Sequence, residues 1–291
     1  MSKISDVSAT QASQPVPIYV PELYLNVNTI QRTPNLLALE LAQGSFRKSP
    51  TPDQQFVDLG CGTGDFTRQE LLPQCQPCRR IVATDVSQEM VRFAKRSFSH
   101  PQIEYDVYDF RDDASKIVGK YGRFDRAYSF FALHYAEDLV SALRNVADLM
   151  TDDGECLLVF AARIPGYAVW RKVVQMDRWK SYAEICERFI PKSQDFKDKA
   201  ACVSYMLATL ESANLKARIC EVVTEVRSAT NMEHLLEVNI ALNPILPLVP
   251  EESRSEFKAD LEDVVRKFWT EKDPQDPQYH VDTFVIHASK I

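Results

Sequence analysis

The sequence has no apolar run long enough to cross a membrane. Its longest apolar stretch, residues 156–162, is far shorter than the roughly 20 residues that a transmembrane helix needs. Its first residues are polar, contain Pro15 and Pro17, and lack the apolar centre of a secretory signal peptide. These absences predict a cytoplasmic protein with no membrane span and with a flexible tail over residues 1–20.

The sequence also has no block of like charge. It carries 34 Lys and Arg against 41 Asp and Glu, which gives a formal net charge of −7. Proteins that bind nucleic acid usually present a basic face, so this balance argues against a nucleic-acid partner. A local basic patch that contacts tRNA or rRNA stays open as an alternative, because an acidic total does not exclude it.

The seven cysteines do not match a framework of disulfides or zinc ligands. Their odd number in a chain of 291 residues argues against a secreted, disulfide-bonded protein. Cys75 and Cys78 have the spacing of half a zinc site or of a redox pair, but no second pair of zinc ligands follows at a suitable distance. A redox pair would open a helix after a strand, whereas this pair precedes a predicted strand. We therefore interpret this pair as structural and expect no metal.

Segments typical of strands and helices alternate along the middle of the chain. The predicted strands cover residues 55–59, 80–84, 102–107, 124–129, 155–161, 217–226 and 283–288. The predicted helices begin near residue 65 and cover residues 87–97, 136–150, 232–240 and 252–270, and a turn is predicted at residues 152–154. Repeated strand–helix units predict an α/β fold, with a mostly parallel sheet and helices on both faces.

These segments predict four parts after the tail. Residues 21–50 form an N-terminal helical cap that is interrupted near Pro34, and residues 51–163 form the α/β core. Residues 164–215 are rich in helix formers and form an inserted helical lid, and residues 216–291 complete the core with further helices. Because the chain is long for one domain and short for two, we expect a single domain with an insertion.

A glycine-rich turn follows the first predicted strand and precedes a predicted helix. Residues 56–66 read FVDLGCGTGDF. Glycine lets the backbone turn sharply and lets a ligand approach it closely, and a helix N-terminus offers free N–H groups. A dinucleotide site needs G-x-G-x-x-G, but the sixth position is Asp65 counted from Gly60 and Thr67 counted from Gly62. The spacing therefore disfavours NAD.

The form Asp-x-Gly-x-Gly-x-Gly resembles the first motif of class I methyltransferases, which bind S-adenosylmethionine (SAM). Asp85 lies about 20 residues further on, at the end of the second predicted strand, where a carboxylate can accept hydrogen bonds from ribose hydroxyls. Asp109 follows the third strand and matches the position that meets the adenine amino group in this family. The resemblance implies a Rossmann-like fold and SAM as the cofactor. The residues expected to bind SAM are Asp58, Gly60, Cys61, Gly62, Gly64, Asp85, Val86, Asp109, Phe110 and Ser129.

Further segments resemble the juvenile hormone acid methyltransferases of arthropods over most of the chain. They are Leu23-Tyr24 with residues 30–32, Ser129-Phe130 with residues 133–135, residues 154–158 with Pro165 and residues 177–179, and residues 239–250. The chain departs from the family at Tyr135, where tryptophan is more usual, in its longer N-terminal tail and across residues 190–230. We expect these departures to affect the identity of the acid more than the reaction. The resemblance also implies that the last strand of the sheet is antiparallel.

That family transfers a methyl group from SAM to the carboxylate of a sesquiterpenoid acid, farnesoic acid or juvenile hormone acid. The resemblance implies that Gln31 and His134 are the catalytic residues and hold this carboxylate, without a metal. A carboxylate is already ionised near neutral pH, so alignment and exclusion of water matter more than a strong base. The residues of the lid at positions 167, 170, 173, 176 and 179 are apolar or aromatic and lie about three apart, so they form a stripe that is either plain core or the wall of a pocket for a long apolar acid. The expected substrate-binding residues are Gln31, His134, Tyr135, Tyr167, Trp170 and Trp179.

Several alternatives stay open at this point. The acceptor could be another lipophilic acid, or a hydroxyl or amine from which His134 takes the proton. The chain could instead be a non-catalytic protein that binds SAM or a hydrophobic ligand, although the intact glycine turn and Asp85 argue against this. Residues 289–291 read SKI, which either resembles a peroxisomal address or simply ends a strand. The sequence gives no indication of the oligomeric state.

Overall fold

The fold is known from a computed structural model, which describes residues 19–228, 231–271 and 278–291. The predicted flexible tail, except for its last two residues, lies outside this part of the chain. The strands are β1 (Gln55–Leu59), β2 (Arg80–Asp85), β3 (Ile103–Val107), β4 (Phe124–Phe130), β5 (Met150–Arg163), β6 (Leu215–Ser228) and β7 (Gln278–Lys290). The helices are α1 (Pro21–Val27), α2 (Thr29–Gln43), α3 (Leu72–Gln74), α4 (Gln88–Ser97), α5 (Ser115–Tyr121), α6 (Leu139–Leu149), α7 (Gly166–Val173), α8 (Ala183–Glu187), α9 (Lys199–Ser212), α10 (Met232–Ala241) and α11 (Arg254–Thr270).

The described strands form one seven-stranded sheet in the order β3-β2-β1-β4-β5-β7-β6. Strand β7 runs antiparallel to its neighbours β5 and β6, and all other neighbouring pairs of described strands are parallel. The central strands β1 and β4 are buried almost throughout, as expected for strands that helices cover on both faces. The predicted α/β fold with a mostly parallel sheet and an antiparallel last strand is confirmed.

The order of the sheet reverses at β1. Its neighbours are β2, which follows it in the chain, and β4, which comes after the chain has passed to β3 at the edge. In open α/β sheets, ligands bind beyond the carboxyl ends of the strands at such a reversal, because the loops there diverge and leave a crevice. The loops after β1, β2, β3 and β4 therefore determine where a ligand site lies.

The N-terminal cap contains two helices that meet at Asn28, so the predicted interruption near Pro34 is wrong. Helix α2 continues through Pro34, although proline has no N–H to donate to the carbonyl of Ile30, four residues earlier. The guanidinium of Arg227 in β6 donates to that carbonyl instead. A partner from a distant part of the sequence thus replaces the missing hydrogen bond and offsets part of the cost of proline in a helix.

Strand β5 begins earlier than predicted. It starts at Met150 rather than at Glu155, and the predicted turn at residues 152–154 is a bulge inside the strand. The pairing with β4 passes directly from Phe124–Met150 to Arg126–Glu155, so the residues between Met150 and Glu155 protrude from the ladder.

Two other boundaries, the start of α6 and the end of β7, can be compared with the prediction. Helix α6 begins at Leu139 rather than at residue 136, because Asp138 accepts the backbone N–H of Ser141 at 3.0 Å and caps the helix. Strand β7 ends at Lys290, so the interpretation of the C-terminal residues as the end of a strand is confirmed.

Helices α7, α8 and α9 occupy the predicted lid, and α10 and α11 follow β6. Helix α11 packs against both α7 and α10, whereas α9 packs against α6 and β6, so the helices of the predicted lid do not form one layer. No helix in the described ranges is both long and apolar enough to pass through a membrane. The division of the chain into cap, core and lid stays a prediction.

Candidate active site

The loop after β1 is a tight turn that requires glycine. Gly60 has a φ of 78°, and a Cβ at this position would lie 2.2 Å from the Cβ of Ala132 in the loop after β4. The N–H groups of Gly60 and Cys61 both donate to the carbonyl of Thr84 in β2 at 2.8 Å. The turn therefore brings the ends of β1, β2 and β4 into contact and forms one wall of a cleft.

Asp85, the last residue of β2, ties this turn to the start of α4. Its Oδ2 accepts the N–H of Gly62 at 2.9 Å, and its Oδ1 accepts the N–H of Ser87 at 2.8 Å. Burial raises the pKa of this carboxyl to about 6, although the two N–H groups act in the opposite direction. The cleft beside it, which we call the Asp85 cleft, has about 710 Å³ of empty space, part of it open to solvent. The predicted cofactor residues that line it are Gly60, Gly62, Asp85, Val86, Asp109 and Phe110.

A smaller polar recess adjoins this cleft between α2 and the glycine turn, and Asp58, Cys61 and Asn35 are among the residues that line it. Asp58 is 2% exposed, and its Oδ2 accepts the hydroxyl of Thr67 at 2.6 Å. Its Oδ1 and the Oδ1 of Asn35 are buried without a hydrogen-bond partner in the described chain. Burial raises the pKa of Asp58 to about 7, well above that of an ordinary carboxyl.

Three of the predicted cofactor residues, Asp109, Ser129 and Gly64, make contacts within the protein. Asp109 lines the Asp85 cleft, but both its oxygens already accept hydrogen bonds from the guanidinium of Arg111 at 2.6 to 3.0 Å. Ser129 donates its hydroxyl to the carbonyl of Leu59 at 2.9 Å, between two central strands. Gly64 packs closely against Tyr105. Neither Ser129 nor Gly64 lines the cleft or the recess, so both hold the local fold together.

An apolar cavity of about 840 Å³, partly open to solvent, lies on the other side of the loop after β4. Residues from α7, α10, α11 and the paired ends of β6 and β7 enclose it. The predicted substrate residues that line it are Gln31, His134, Tyr135, Tyr167 and Trp170. Gln31, Tyr135 and Phe131 line both this cavity and the Asp85 cleft, so they mark the place where two bound molecules would meet.

His134 lines the apolar cavity beside this meeting place. Its side chain is 7% exposed, and its Nδ1 has no hydrogen-bond partner in the described chain. Burial lowers the pKa of His134 to about 3, so the ring is neutral at physiological pH. A neutral imidazole has a single N–H, so it can donate one hydrogen bond but supplies no positive charge.

Two tyrosines that were not predicted as site residues complete this region. The hydroxyl of Tyr24 donates to Oε1 of Gln31 at 2.8 Å, and the hydroxyls of Tyr19 and Tyr135 lie 2.5 Å apart. Tyr24 and Gln31 are seven residues apart, in two helices that meet at Asn28, so their contact is local in sequence. Tyr19 and Tyr135 are 116 residues apart, and no sequence pattern connects them.

Comparisons with known proteins agree with this geometry. A family model described as a methyltransferase domain matches residues 57–156. The chain is similar to the juvenile hormone acid O-methyltransferase of Bombyx mori, with 29% identity over 84% of this chain and 86% of that protein. It is also similar to the juvenile hormone acid O-methyltransferase of Drosophila melanogaster, with 25% identity over 84% of this chain and 81% of that protein.

The chain is a SAM-dependent methyltransferase. Its resemblance to the juvenile hormone acid methyltransferases is confirmed by these two relatives. The fold of the methyltransferase is similar to that of a Bacillus halodurans C-125 protein classed as a methyltransferase, with a TM-score of 0.54, 16% identity, and coverage of 87% of this chain and 97% of that chain. The YcgJ protein of Bacillus subtilis has a similar fold, with a TM-score of 0.50, 13% identity, and coverage of 87% and 98%.

The polar recess and the Asp85 cleft of this methyltransferase fit the chemistry of SAM. SAM carries an ammonium group, and the recess presents the buried acceptor oxygens of Asp58 and Asn35. An ammonium group that donates to both would remove the cost of leaving these oxygens unpaired. The cleft places the apolar Val86 and Phe110 beside the carboxylate of Asp85, a combination that suits an adenine ring and a ribose.

Trp179, predicted to bind substrate, is not among the residues that line the apolar cavity. Its Nε1 donates to Oδ2 of Asp260 in α11 at 2.6 Å, and its ring packs on Phe257 with 5.1 Å between the ring centres. Both partners are buried. Trp179 therefore anchors the lid of the methyltransferase to α11.

Replacing Trp179 with phenylalanine should lower the free energy of unfolding by about 1 to 3 kcal/mol, because the buried Asp260 loses an N–H donor. The KM for the methyl acceptor should not change, because the side chain touches neither the cavity nor the cleft. Urea unfolding and steady-state kinetics measure the two quantities. A KM that rises at least fivefold with unchanged stability would show that Trp179 contacts the substrate.

Cys75 and Cys78 are buried, free cysteines of the methyltransferase. Across residues 19–228, 231–271 and 278–291, no three His, Cys, Asp or Glu side chains are grouped so that they could hold a metal ion.

Proposed function

We propose that this methyltransferase transfers the methyl group of SAM to the carboxylate of a sesquiterpenoid acid, farnesoic acid or juvenile hormone acid. The observation that carries the proposal is the adjacency of the apolar cavity and the Asp85 cleft, which share Gln31 and Tyr135. Direct group transfer needs two bound molecules whose reacting atoms lie in line and roughly 3 Å apart. The relatives from Bombyx mori and Drosophila melanogaster are named juvenile hormone acid O-methyltransferases.

The cofactor residues of this proposal surround the Asp85 cleft and the polar recess. Asp85 accepts the ribose hydroxyls, and Asp109, held in place by Arg111, lies on the adenine side of the cleft. Asp58 and Asn35 accept the ammonium group in the recess. When bound, SAM supplies a methyl group that is activated by a positively charged sulfur.

Gln31 and His134 are the residues that we assign to the substrate carboxylate. Each donates one N–H, from the side-chain amide of Gln31 and from the neutral ring of His134. Two neutral donors orient the carboxylate but leave its negative charge largely intact, and this charge is what makes the oxygen a nucleophile. The buried site also keeps water away from the reacting oxygen.

The lining of the apolar cavity supports a lipophilic chain behind the carboxylate. Aromatic side chains from three helices or strands surround it, among them Tyr167, Trp170 and Trp269. The low pKa of His134, about 3, makes its ring a poor proton acceptor. The site therefore favours an acceptor that is already ionised over a hydroxyl or an amine, which would have to lose a proton.

The test uses labelled SAM with farnesoic acid, juvenile hormone acid, a straight-chain fatty acid, benzoate and farnesol. We expect transfer to the two sesquiterpenoid acids and little or none to benzoate or farnesol. Farnesol is the matched control, because it keeps the apolar chain and replaces the carboxylate by a hydroxyl. Transfer to farnesol, or to none of the acids while SAM still binds, would overturn the proposed acceptor and leave the methyltransferase assignment in place.

The affinity for SAM should depend on pH. Burial raises the pKa of Asp58 to about 7 and that of Asp85 to about 6, so both carboxyls take up protons as the pH falls from 8 to 6. A protonated Asp58 attracts an ammonium group less, so the Kd for SAM should rise about tenfold over this range. Calorimetric titration at several pH values measures the effect, and Asp58→Asn should remove most of it. An affinity that stays constant from pH 8 to 6 would contradict the contact between Asp58 and the ammonium group.

A further inference from the structure

Tyr24 in α1 connects the glycine turn with the amide of Gln31. Its ring lies over Gly62, where an added Cβ would stand 3.3 Å from the ring. Its hydroxyl donates to Oε1 of Gln31 at 2.8 Å. Tyr24 therefore contacts the backbone of the proposed cofactor site through its ring and the proposed carboxylate-binding residue through its hydroxyl.

The hydrogen bond from Tyr24 determines which end of the Gln31 amide can meet a carboxylate. A side-chain amide has one acceptor end and one donor end, and either end can face a ligand if nothing orients it. A carboxylate accepts hydrogen bonds only, so the amide is useful only with its NH₂ group toward the ligand. Because the Tyr24 hydroxyl occupies Oε1, the NH₂ group is the end of Gln31 that can serve the apolar cavity.

The tyrosine hydroxyl is itself held in place. Tyr19 stacks on the Tyr24 ring with 5.7 Å between the ring centres, and the hydroxyl of Tyr19 pairs with that of Tyr135. Burial raises the pKa of Tyr24, so its hydroxyl keeps the proton that it donates. Packing on both sides leaves the ring little freedom to turn away from Gln31.

We propose that Tyr24 is a positioning residue that orients the amide of Gln31, so that its NH₂ group donates to the acid substrate. This inference rests on the proposed function, in which Gln31 holds the substrate carboxylate. The role is indirect, because the hydroxyl of Tyr24 acts through Gln31 rather than on the reacting atoms. The hydroxyl of Tyr24 should therefore affect turnover only when Gln31 is present.

The test is a double-mutant cycle with farnesoic acid and labelled SAM. Tyr24→Phe removes only the hydroxyl and should lower kcat/KM for the acid about tenfold, mainly through KM, as expected for the loss of one well-formed hydrogen bond. In the Gln31→Ala background the same change should have no further effect, because the group that it orients is absent. The Kd for SAM should stay within about twofold in all variants that carry Tyr24→Phe, because the ring over Gly62 remains.

Tyr121→Phe is the matched control, since it removes a hydroxyl that donates to Asp106 at 3.0 Å, away from both cavities. It should leave kcat/KM unchanged.

Equal losses from Tyr24→Phe in the wild-type and Gln31→Ala backgrounds would overturn the inference, and so would a loss explained entirely by weaker SAM binding. If Gln31→Ala itself leaves the KM for the acid unchanged, the carboxylate site of the proposed function fails and the inference fails with it. If Gln31→Ala is damaging and Tyr24→Phe is not, only the inference fails.

Discussion

Replacing Asp85 with alanine is expected to raise the Kd for SAM at least about a hundredfold. The carboxylate has two tasks, because its oxygens accept the N–H groups of Gly62 and Ser87 and also face the cleft. Its loss removes the proposed acceptor for two ribose hydroxyls and also releases the glycine turn from the start of α4. Hydrogen bonds to a charged group contribute about 1.5 to 3 kcal/mol each, so two of them account for a factor of this size.

Calorimetric titration with SAM measures the effect, and thermal unfolding shows whether the variant is folded. Asp85→Asn separates the two tasks, because an asparagine oxygen can still accept one backbone N–H while its NH₂ group cannot accept from ribose. We expect it to bind SAM more weakly than the wild type and to unfold at a higher temperature than Asp85→Ala. Asp152→Ala is the matched control, since this carboxylate is fully exposed and makes only a 4.0 Å contact with Lys290. Unchanged SAM affinity in a folded Asp85→Ala variant would show that the cofactor binds elsewhere.

Local patterns in the sequence predicted the parts of this enzyme that depend on neighbouring residues. Each strand–helix unit carries its own apolar pattern. The connection between parallel strands is right-handed, which leaves few possible orders of the strands in the sheet. The glycine turn and Asp85 were predictable for the same reason, because the ends of β1 and β2 meet at the edge where the order of the sheet reverses. The place of the Asp85 cleft follows from these two features.

The parts that could not be predicted depend on contacts between distant segments. A proline such as Pro34 normally ends or kinks a helix, and the hydrogen bond from Arg227 to the carbonyl of Ile30, which offsets part of this cost, comes from a strand nearly 200 residues away. Trp179 ends the apolar stripe that begins at Tyr167 in the lid. The spacing of such a stripe does not reveal whether a ligand or another helix covers its side chains. Its partner Asp260 lies 81 residues further along the chain. The contact with Asp260 is of the second kind, since α11 covers Trp179.

Replacing Gln31 or His134 with alanine should lower kcat/KM for farnesoic acid by about one to two orders of magnitude each and leave the Kd for SAM within about threefold. Gln31 and His134 line the apolar cavity at the point where it meets the Asp85 cleft. Each proposed hydrogen bond to a carboxylate is charge-assisted, which makes it stronger than one between neutral groups. Its loss also lets the carboxylate turn away from the methyl group, so kcat should fall along with the rise in KM.

A conservative change at His134 distinguishes hydrogen bonding from packing. His134→Asn keeps an N–H donor on a smaller side chain and should recover part of the activity that His134→Ala loses, while a purely structural role would not favour asparagine in a buried apolar wall. Gln74→Ala and His280→Ala are matched controls at exposed positions and should behave as the wild type. Wild-type turnover in both Gln31→Ala and His134→Ala would mean that other groups hold the carboxylate. A loss of SAM binding equal to the loss of turnover would instead place Gln31 and His134 in the cofactor site, since the apparent defect in acid methylation would then follow from an empty cleft.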